Sequence, residues 1–335
     1  MAPFHKSLAT GVKSLATCVA LLASVSIGTA SAQSYPLKIE HALGTTVLSE
    51  KPERVATVAW ANHEVPLALG VVPVGFAAAN FGDENGNGLL PWVDARLEEL
   101  GATPPALFDE GDGIDFEAVA ESQPDVILAA YSGLSQADYT TLSQIAPVVA
   151  YPEGPWATDW RDMIRLNSTG MGMAEEGQAL VEELEAQIAD TADNHPELAG
   201  KTAMFVTHLD PTNLGRISFY TDNDARVRFF HDLGLESPEG VKQNSTPGKF
   251  AGEISSELID ELNDVDILVT YGGQPLIDQL NAHPLTSRLP VVKNGAVVLL
   301  GNTPLGTAAN PTPMSISWLL DDYADLLSEA ARKSD

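Results

Sequence analysis

Met173-Ala-Glu-Glu-Gly-Gln-Ala-Leu-Val-Glu-Glu-Leu-Glu-Ala-Gln-Ile-Ala-Asp-Thr-Ala-Asp-Asn-His195 is the stretch on which the reading of the whole chain turns. Gly177, Val181, Leu184, Ile188 and Ala192 recur at three- and four-residue spacing, and Glu175, Glu176, Glu182, Glu183 and Glu185 stand between them. That pattern predicts one helix with a single apolar stripe on a charged rod. Gly170 and Gly172 punctuate its start, and Pro196 pushes His195 out of helical geometry and ends it. At 1.5 Å per residue the rod is about 31 Å long, the width of a small domain. A rod of that length can hold two lobes at a fixed separation. A long surface helix within one domain has the same periodicity, and the flanking sequence decides between them.

Residues 1–32 stand apart from the fold. Lys6 and Lys13 precede or flank a mostly apolar run from Leu15 to Ile27, and Ala30-Ser31-Ala32 has the small-x-small form of a signal-peptidase site. The expectation is an exported, periplasmic chain cleaved near Ala32 and starting at Gln33. The apolar run is too short to cross a bilayer, and no later run approaches about 18 apolar residues. Cys18 is the only cysteine and lies inside that run. Its place argues against a lipid-modified cysteine and leaves a free protein without disulfides. The other 303 residues suffice for two ordinary domains or one large one. They carry 16 basic and 46 acidic side chains, a formal charge of −30. Such a surface repels nucleic acid and anionic lipid, while the apolar runs throughout exclude disorder.

On both sides of the rod, strands alternate with helices. Leu37 to Leu48 reads as a hairpin turning at Gly44. Strands follow at Arg54–Trp60, from Val72, at Asp125–Ala130 and at Val148–Ala150, with helices at His63–Leu69, Asp115–Ser122 and Ser135–Ile145. Beyond the rod, strands are expected at Thr202–Thr207, Arg216–Tyr220, Asp266–Thr270 and Ala296–Leu300. Helices are expected at Asp224–Leu233, Ser255–Asn263 and Gln274–Asn281, and from Thr312-Pro313 to the end. Alternation of this kind implies parallel sheets covered on both faces. The fold class is therefore α/β: two Rossmann-like lobes joined by one long rigid helix, with a ligand cleft between them beyond the carboxyl ends of the strands. The expected division is a signal peptide at 1–32, an N-terminal lobe at 33–157, a crossing segment and linking helix at 158–198, and a C-terminal lobe at 199–335.

Motifs for catalysis are missing: there is no Gly-x-Ser-x-Gly, Walker loop, Gly-x-Gly-x-x-Gly or His-Glu-x-x-His. The informative residues follow the strands. Trp60 and Asn62, Tyr131, Tyr220 and Tyr271 occupy strand ends, and Trp156 lies in the crossing segment. Each alone suits a core or rim position, but several such loops aimed at one cleft favour a ligand site, since aromatics offer flat contact area at modest entropy cost. Arg216 is the basic residue expected in the cleft, with a surface ion pair as the equal alternative. His208, beside Asp210, is a conceivable lone metal ligand, although a hydrogen-bonded histidine fits the position better. Asp83, Asn85, Asn87 and Asp94 match calcium-loop spacing, but Pro91 intrudes and Asp stands where Glu is usual, so a plain Gly/Asn turn is the better reading. Glu117 and Glu257 each fall in the first turn of a helix, one per lobe, where the helix dipole alone favours an acid.

His41-Ala-Leu-Gly-Thr-Thr46, Lys51-Pro-Glu-Arg-Val55, Ala68-Leu-Gly-Val-Val-Pro-Val-Gly75, Phe116-Glu117 through Pro124-Asp-Val-Ile-Leu128, and Ile145-Ala-Pro-Val148 occur in that order. As an ordered series they resemble the periplasmic iron-siderophore binding proteins of ABC importers, the rigid-strut class that includes ferric hydroxamate and vitamin B12 binders. The resemblance covers Tyr35 to Leu327. It implies a monomeric, non-enzymatic receptor without a cofactor that holds a ferric siderophore between lobes and delivers it to an inner-membrane permease dimer. Glu117 and Glu257 match the glutamates that meet the permease in that family. Haem, cobalamin or a free metal ion on the same fold is the alternative cargo, and an exported hydrolase the alternative of a different class. Few histidines and no cysteine in the mature chain weigh against direct metal capture.

Overall fold

Val126-Ile-Leu-Ala is apolar at every residue and completely buried, as a central strand covered on both faces must be. The computed structural model describes residues 34–208 and 215–334; the expected signal peptide, Cys18 and Asp210 lie outside them. The chain opens with the hairpin β1 (Leu37–His41) and β2 (Gly44–Leu48). A first sheet follows, built from β3 (Val55–Thr57), β4 (Gly75–Ala77), β5 (Ala106–Phe108), β6 (Val126–Ala129) and β7 (Val148–Ala150). Its order is β5-β4-β3-β6-β7 and every pairing is parallel. Between the strands run α1 (Glu64–Ala68), α2 (Pro91–Glu99), α3 (Phe116–Glu121) and α4 (Gln136–Leu142). Asp115 caps α3, and Ser135 with Asp138 forms a capping box on α4, each satisfying amides that a helix start leaves open.

The helices α5 (Trp160–Gly170) and α6 (Ala174–Asn194) carry the chain across. The linking helix buries Gly177, Val181, Leu184, Ile188 and Thr191. The stripe is thus the one the periodicity predicts except at its end, where Thr191 rather than Ala192 turns inward and donates a 2.9 Å hydrogen bond to Asp321. Gly177 marks the crossing with α5: a Cβ there would stand 1.9 Å from Ser168 Oγ.

The second sheet contains β8 (Ala203–His208), β9 (Arg216–Tyr220), β10 (Ala251–Ser255), β11 (Ile267–Tyr271) and β12 (Val297–Leu300), in the order β10-β9-β8-β11-β12. Only β8, β11 and β12 are mutually parallel; β9 runs antiparallel to both neighbours. This departs from the all-parallel expectation, because a short connection returns the chain directly beside β8 rather than over the sheet. Ser255–Asn263 is not one α-helix either: β10 runs to Ser255, and a 3-10 helix occupies Ser256–Leu262. The lobe is completed by α7 (Ala225–Asp232), α8 (Glu239–Asn244), α9 (Gln274–Ala282), α10 (Pro290–Lys293), α11 (Pro304–Ala308) and α12 (Pro313–Ser334).

The last helix is a second brace. It packs against α6 and also reaches α1 and α2 of the first lobe. At its start the Met314 N–H donates to Glu64 Oε2 at 3.0 Å, while Trp92 Nε1 donates to Glu64 Oε1 at 2.7 Å. Glu64 is completely buried, so burial pushes its carboxyl upward even against those hydrogen bonds; the open amides of a helix N-terminus are what make such a position tolerable. One apolar core runs from β6 through α6 and α12 to β11.

Candidate functional site

The loops beyond the strand ends converge on a cavity of about 380 Å³ between the sheets, lined by Trp60, Tyr131, Trp156, Tyr220 and Tyr271 of the expected set. Phe81, Arg226, Phe250 and Asn310 join them. Tyr131 and Trp156 meet edge to face at 5.3 Å, and Phe81 reaches across to Tyr271 at 5.6 Å, geometries that add to simple burial. The Tyr131 hydroxyl accepts from Asn310 Nδ2 at 3.2 Å, and burial pushes that phenol up to about 12. It therefore enters the cleft as a neutral donor and acceptor.

Backbone strain gathers in the same place. Four non-glycine residues of the described chain have positive φ, and three of them, Ala59 at 61°, Ala61 at 61° and Trp156 at 59°, flank or form the cleft. Such conformations cost about 1–3 kcal/mol each and persist where the surroundings impose them. Gly133 permits the Trp156 turn, because a Cβ there would lie 2.4 Å from the indole Nε1, and the Trp156 N–H is tied to Ser132 O at 2.9 Å.

Arg226 supplies the cationic centre. Asp224, 1 % exposed, caps α7 by accepting the Arg226 N–H at 2.9 Å, and it also takes the Arg226 guanidinium at 3.1 and 3.0 Å. The guanidinium carbon stands 4.3 Å over the Tyr220 ring, a cation–π arrangement. Burial opposes its charge, but Asp224 and the surrounding tyrosine hydroxyls hold it well above the ordinary arginine range. The result is a fixed fork of donors facing aromatic walls.

Two expected cleft residues stand elsewhere. Arg216 shares a sheet face with Tyr220 but is four residues away, about 13 Å along a strand. Its side chain is 70 % exposed and pairs with Glu253; the surface ion pair is what it makes. The sequence sign of the true cation was available in Asp224-Ala-Arg226, an N-cap acid with an arginine in the first turn just after Tyr220. Asn62 is completely buried. Its Nδ2 donates to Val58 O at 2.9 Å and Tyr131 O at 2.8 Å, and its Oδ1 accepts from Tyr131 N and Asn167 Nδ2, both at 3.0 Å. It fastens the two loops that carry Trp60 and Tyr131, so its polar atoms are spent on the scaffold.

A second cavity of about 360 Å³ adjoins the first and shares Trp60, Asn80 and Trp156 with it, opening into the N-terminal lobe past His63, Glu110 and Leu134. The calcium-like segment is a turn. Asp83 Oδ1 accepts from Asn85 N at 3.1 Å and Gly86 N at 2.9 Å, Asp83 Oδ2 accepts from Gly88 N at 2.7 Å, and Asn87 Oδ1 accepts from Leu89 N at 2.9 Å. Asp94 sits exposed in the first turn of α2, which Pro91 initiates. The loop's oxygens thus serve its own amides, and among the described residues no group of three or more His, Cys, Asp and Glu side chains is arranged for a metal ion. Glu117 is exposed behind the Asp115 cap, and Glu257 is exposed with its N–H on Ser255 Oγ at 3.3 Å.

Residues 55–304 match the profile of the periplasmic binding protein family. PiaA of Streptococcus pneumoniae TIGR4, solved in complex with ferrichrome, is 43 % identical, with a TM-score of 0.85 over 89 % of this chain and 99 % of its own. The ferric-anguibactin-binding protein FatB of Vibrio anguillarum is 28 % identical over 286 residues, 79 % of this chain and 80 % of its own. The iron(3+)-hydroxamate-binding protein YxeB of Bacillus subtilis is 22 % identical over 297 residues, 87 % of this chain and 85 % of its own. The chain belongs to the periplasmic binding protein family.

Proposed function

From that family membership we propose that this protein is the extracytoplasmic receptor for an iron(III)-siderophore, holding the chelate in the interlobe cleft and passing it to an ABC importer. The observation that carries the reading is the cleft itself: an aromatic cavity of about 380 Å³ around one preset guanidinium, in a chain 43 % identical to a protein seen with ferrichrome. Trp60, Tyr131, Trp156, Tyr220 and Tyr271 provide flat walls for an organic chelate, and Arg226 donates to its electron-rich oxygens. Because Asp224 already compensates Arg226, the cleft has no surplus positive charge. That balance suits a neutral ferric trihydroxamate better than a trianionic catecholate complex. Binding needs no activated nucleophile; it needs a cleft ordered in advance, which lowers the entropy cost of capture.

The wider reading belongs to the same proposal. The mature protein is a periplasmic monomer released near Ala32, with lobes at 33–157 and 199–335 and the crossing segment at 158–198. Exposed Glu117 and Glu257, one on each lobe, contact basic pockets of a permease dimer in the inner membrane. Two of the five tryptophans, Trp60 and Trp156, line the cleft, so intrinsic fluorescence reports occupancy. Titration with ferrichrome, ferrioxamine B, a ferric catecholate, haemin, cobalamin and zinc ion is expected to give saturable quenching with the ferric trihydroxamates. A response confined to haemin, cobalamin or the free metal would replace the cargo assignment, and silence to all of them would remove the receptor reading.

A further inference from the structure

The recess behind Trp60 has its own chemistry. Of its lining side chains only Glu110 and Asp138 are acidic, and none is lysine or arginine. Three of its polar atoms are buried and have no hydrogen-bond partner: Glu110 Oε1, His63 Nδ1 and Trp60 Nε1. His63 is 7 % exposed and stacks on Phe76 at 4.3 Å. A native fold leaves few buried polar atoms unpaired, and each such atom calls for an explanation. Here three converge on one cavity that is continuous with the ligand cleft.

Holding the loop accounts for only half of Glu110. Its Oε2 accepts the Ala59 N–H at 2.9 Å and so secures the strained turn that presents Trp60. The other oxygen faces no donor of the protein. Burial pushes the Glu110 carboxyl up to about 7, with the Ala59 N–H opposing the shift and Asp115 adding to it. His63 is driven by burial down to about 3 and stays neutral. Asp138, the other acid of the recess, has its Oδ2 engaged by Ser135 N at 2.9 Å and Ser135 Oγ at 2.7 Å. The open acceptors are thus the second oxygen of Glu110 and an uncharged imidazole ring.

Resting on the receptor reading above, we propose that this recess is a second subsite of the cleft, which receives a protonated amine arm of the chelator, with Glu110 selecting for it. The division of labour is electrostatic. Arg226 and the tyrosines face the oxygen-rich iron centre, and an ammonium group about one cavity away fills the unpaired acceptor in a recess without competing cations. An arm without N–H donors would instead leave Glu110 Oε1 desolvated and unsatisfied, which is how a buried polar group rejects a near analogue.

Ferrioxamine B, a ferric trihydroxamate with a terminal ammonium, and its N-acetyl derivative test the assignment by tryptophan quenching at pH 5.5 and pH 8 with wild type and Glu110→Gln. Gln keeps an acceptor for the Ala59 N–H, and a thermal melt checks that the variant is folded. The expected result is an affinity advantage of about tenfold for the ammonium form in wild type at pH 8, the worth of one charge-assisted hydrogen bond. That advantage should shrink at pH 5.5, where Glu110 is protonated, and vanish in Glu110→Gln. His63, neutral at both pH values, cannot produce this change. Equal affinity of wild type for the two compounds at pH 8, or the same preference retained in Glu110→Gln, overturns the subsite while leaving the receptor reading intact. Failure of wild type to bind either compound or ferrichrome overturns the receptor reading itself. The wild-type comparison stands even if the variant does not fold.

Discussion

Replacing Arg226 by methionine separates what the cleft needs for binding from what the fold needs for stability. Asp224 is 1 % exposed and its charge is compensated by the Arg226 guanidinium at 3.0 Å. Without the guanidinium it keeps only the Arg226 backbone N–H at 2.9 Å among the bonds to residue 226. Breaking a buried pair from one side costs about 3–5 kcal/mol, most of it the penalty of the charge left behind. Spread over the unfolding entropy of a chain of this length, that is a fall of about 5–8 °C in Tm. Asp224→Asn in the same background removes the orphaned charge, and asparagine caps a helix as well as aspartate does. The double variant is therefore expected within about 1–2 kcal/mol of wild type, a coupling of at least about 2 kcal/mol. Ferrichrome affinity should behave differently, falling about tenfold or more in Arg226→Met and remaining low in the double variant, because the donor to the chelate is gone in both. Urea unfolding measures the first quantity and fluorescence titration the second. Additive stability effects would refute the buried-pair argument, and recovered affinity in the double variant would refute the role of Arg226 in the cleft.

Reversal of both Glu117 and Glu257 to lysine should abolish iron uptake in cells while leaving chelate affinity unchanged; a parallel loss of affinity would assign them to the fold or cleft. Gly177→Ala should cost about 1–3 kcal/mol through the clash with Ser168 Oγ, and Ser168→Ala should recover part of it, as read by urea unfolding; a neutral Gly177→Ala would mean the α5–α6 crossing is looser than described. Glu110 also marks the pH profile of stability. Its folded value of about 7 lies above the ordinary 4.5, so the native state holds the proton more tightly, and the stability this contributes is present below about pH 4.5 and lost as pH rises through 7. Wild type should accordingly lose about 2–3 kcal/mol relative to Glu110→Gln between pH 5 and pH 8 in paired urea melts; parallel profiles would refute the burial argument. Saturating ferrichrome at about 100 times its Kd should add about 2.7 kcal/mol to the folded state, visible as a rise in Tm that Arg226→Met reduces at the same ligand concentration.

Local pattern was enough for much of the architecture. The spacing from Gly177 to Ile188 is a property of neighbours along one helix, and it announced the linking rod because an apolar stripe must be buried whatever lies opposite. Continuous apolar runs such as Val126-Ile-Leu-Ala marked strands covered on both faces, and aromatic residues just past those runs pointed to the cleft. Tertiary structure decided the rest. The antiparallel return of β9 places Tyr220 at the cavity and Arg216 four residues away on the surface, a consequence of register between strands that no window of sequence contains. The same holds for Asn62, whose type suits a ligand contact but whose four bonds reach Val58, Tyr131 and Asn167. Arg226 entered the cleft because Asp224 could neutralise it there. Glu64 could be buried because the start of a helix 250 residues later supplies the amide it needs, and the empty acceptor of Glu110 exists only where the turn at Ala59, the stack of His63 on Phe76 and the indole of Trp60 enclose one cavity. Periodicity is encoded between neighbours, whereas the partner of a buried charge is chosen by the whole fold.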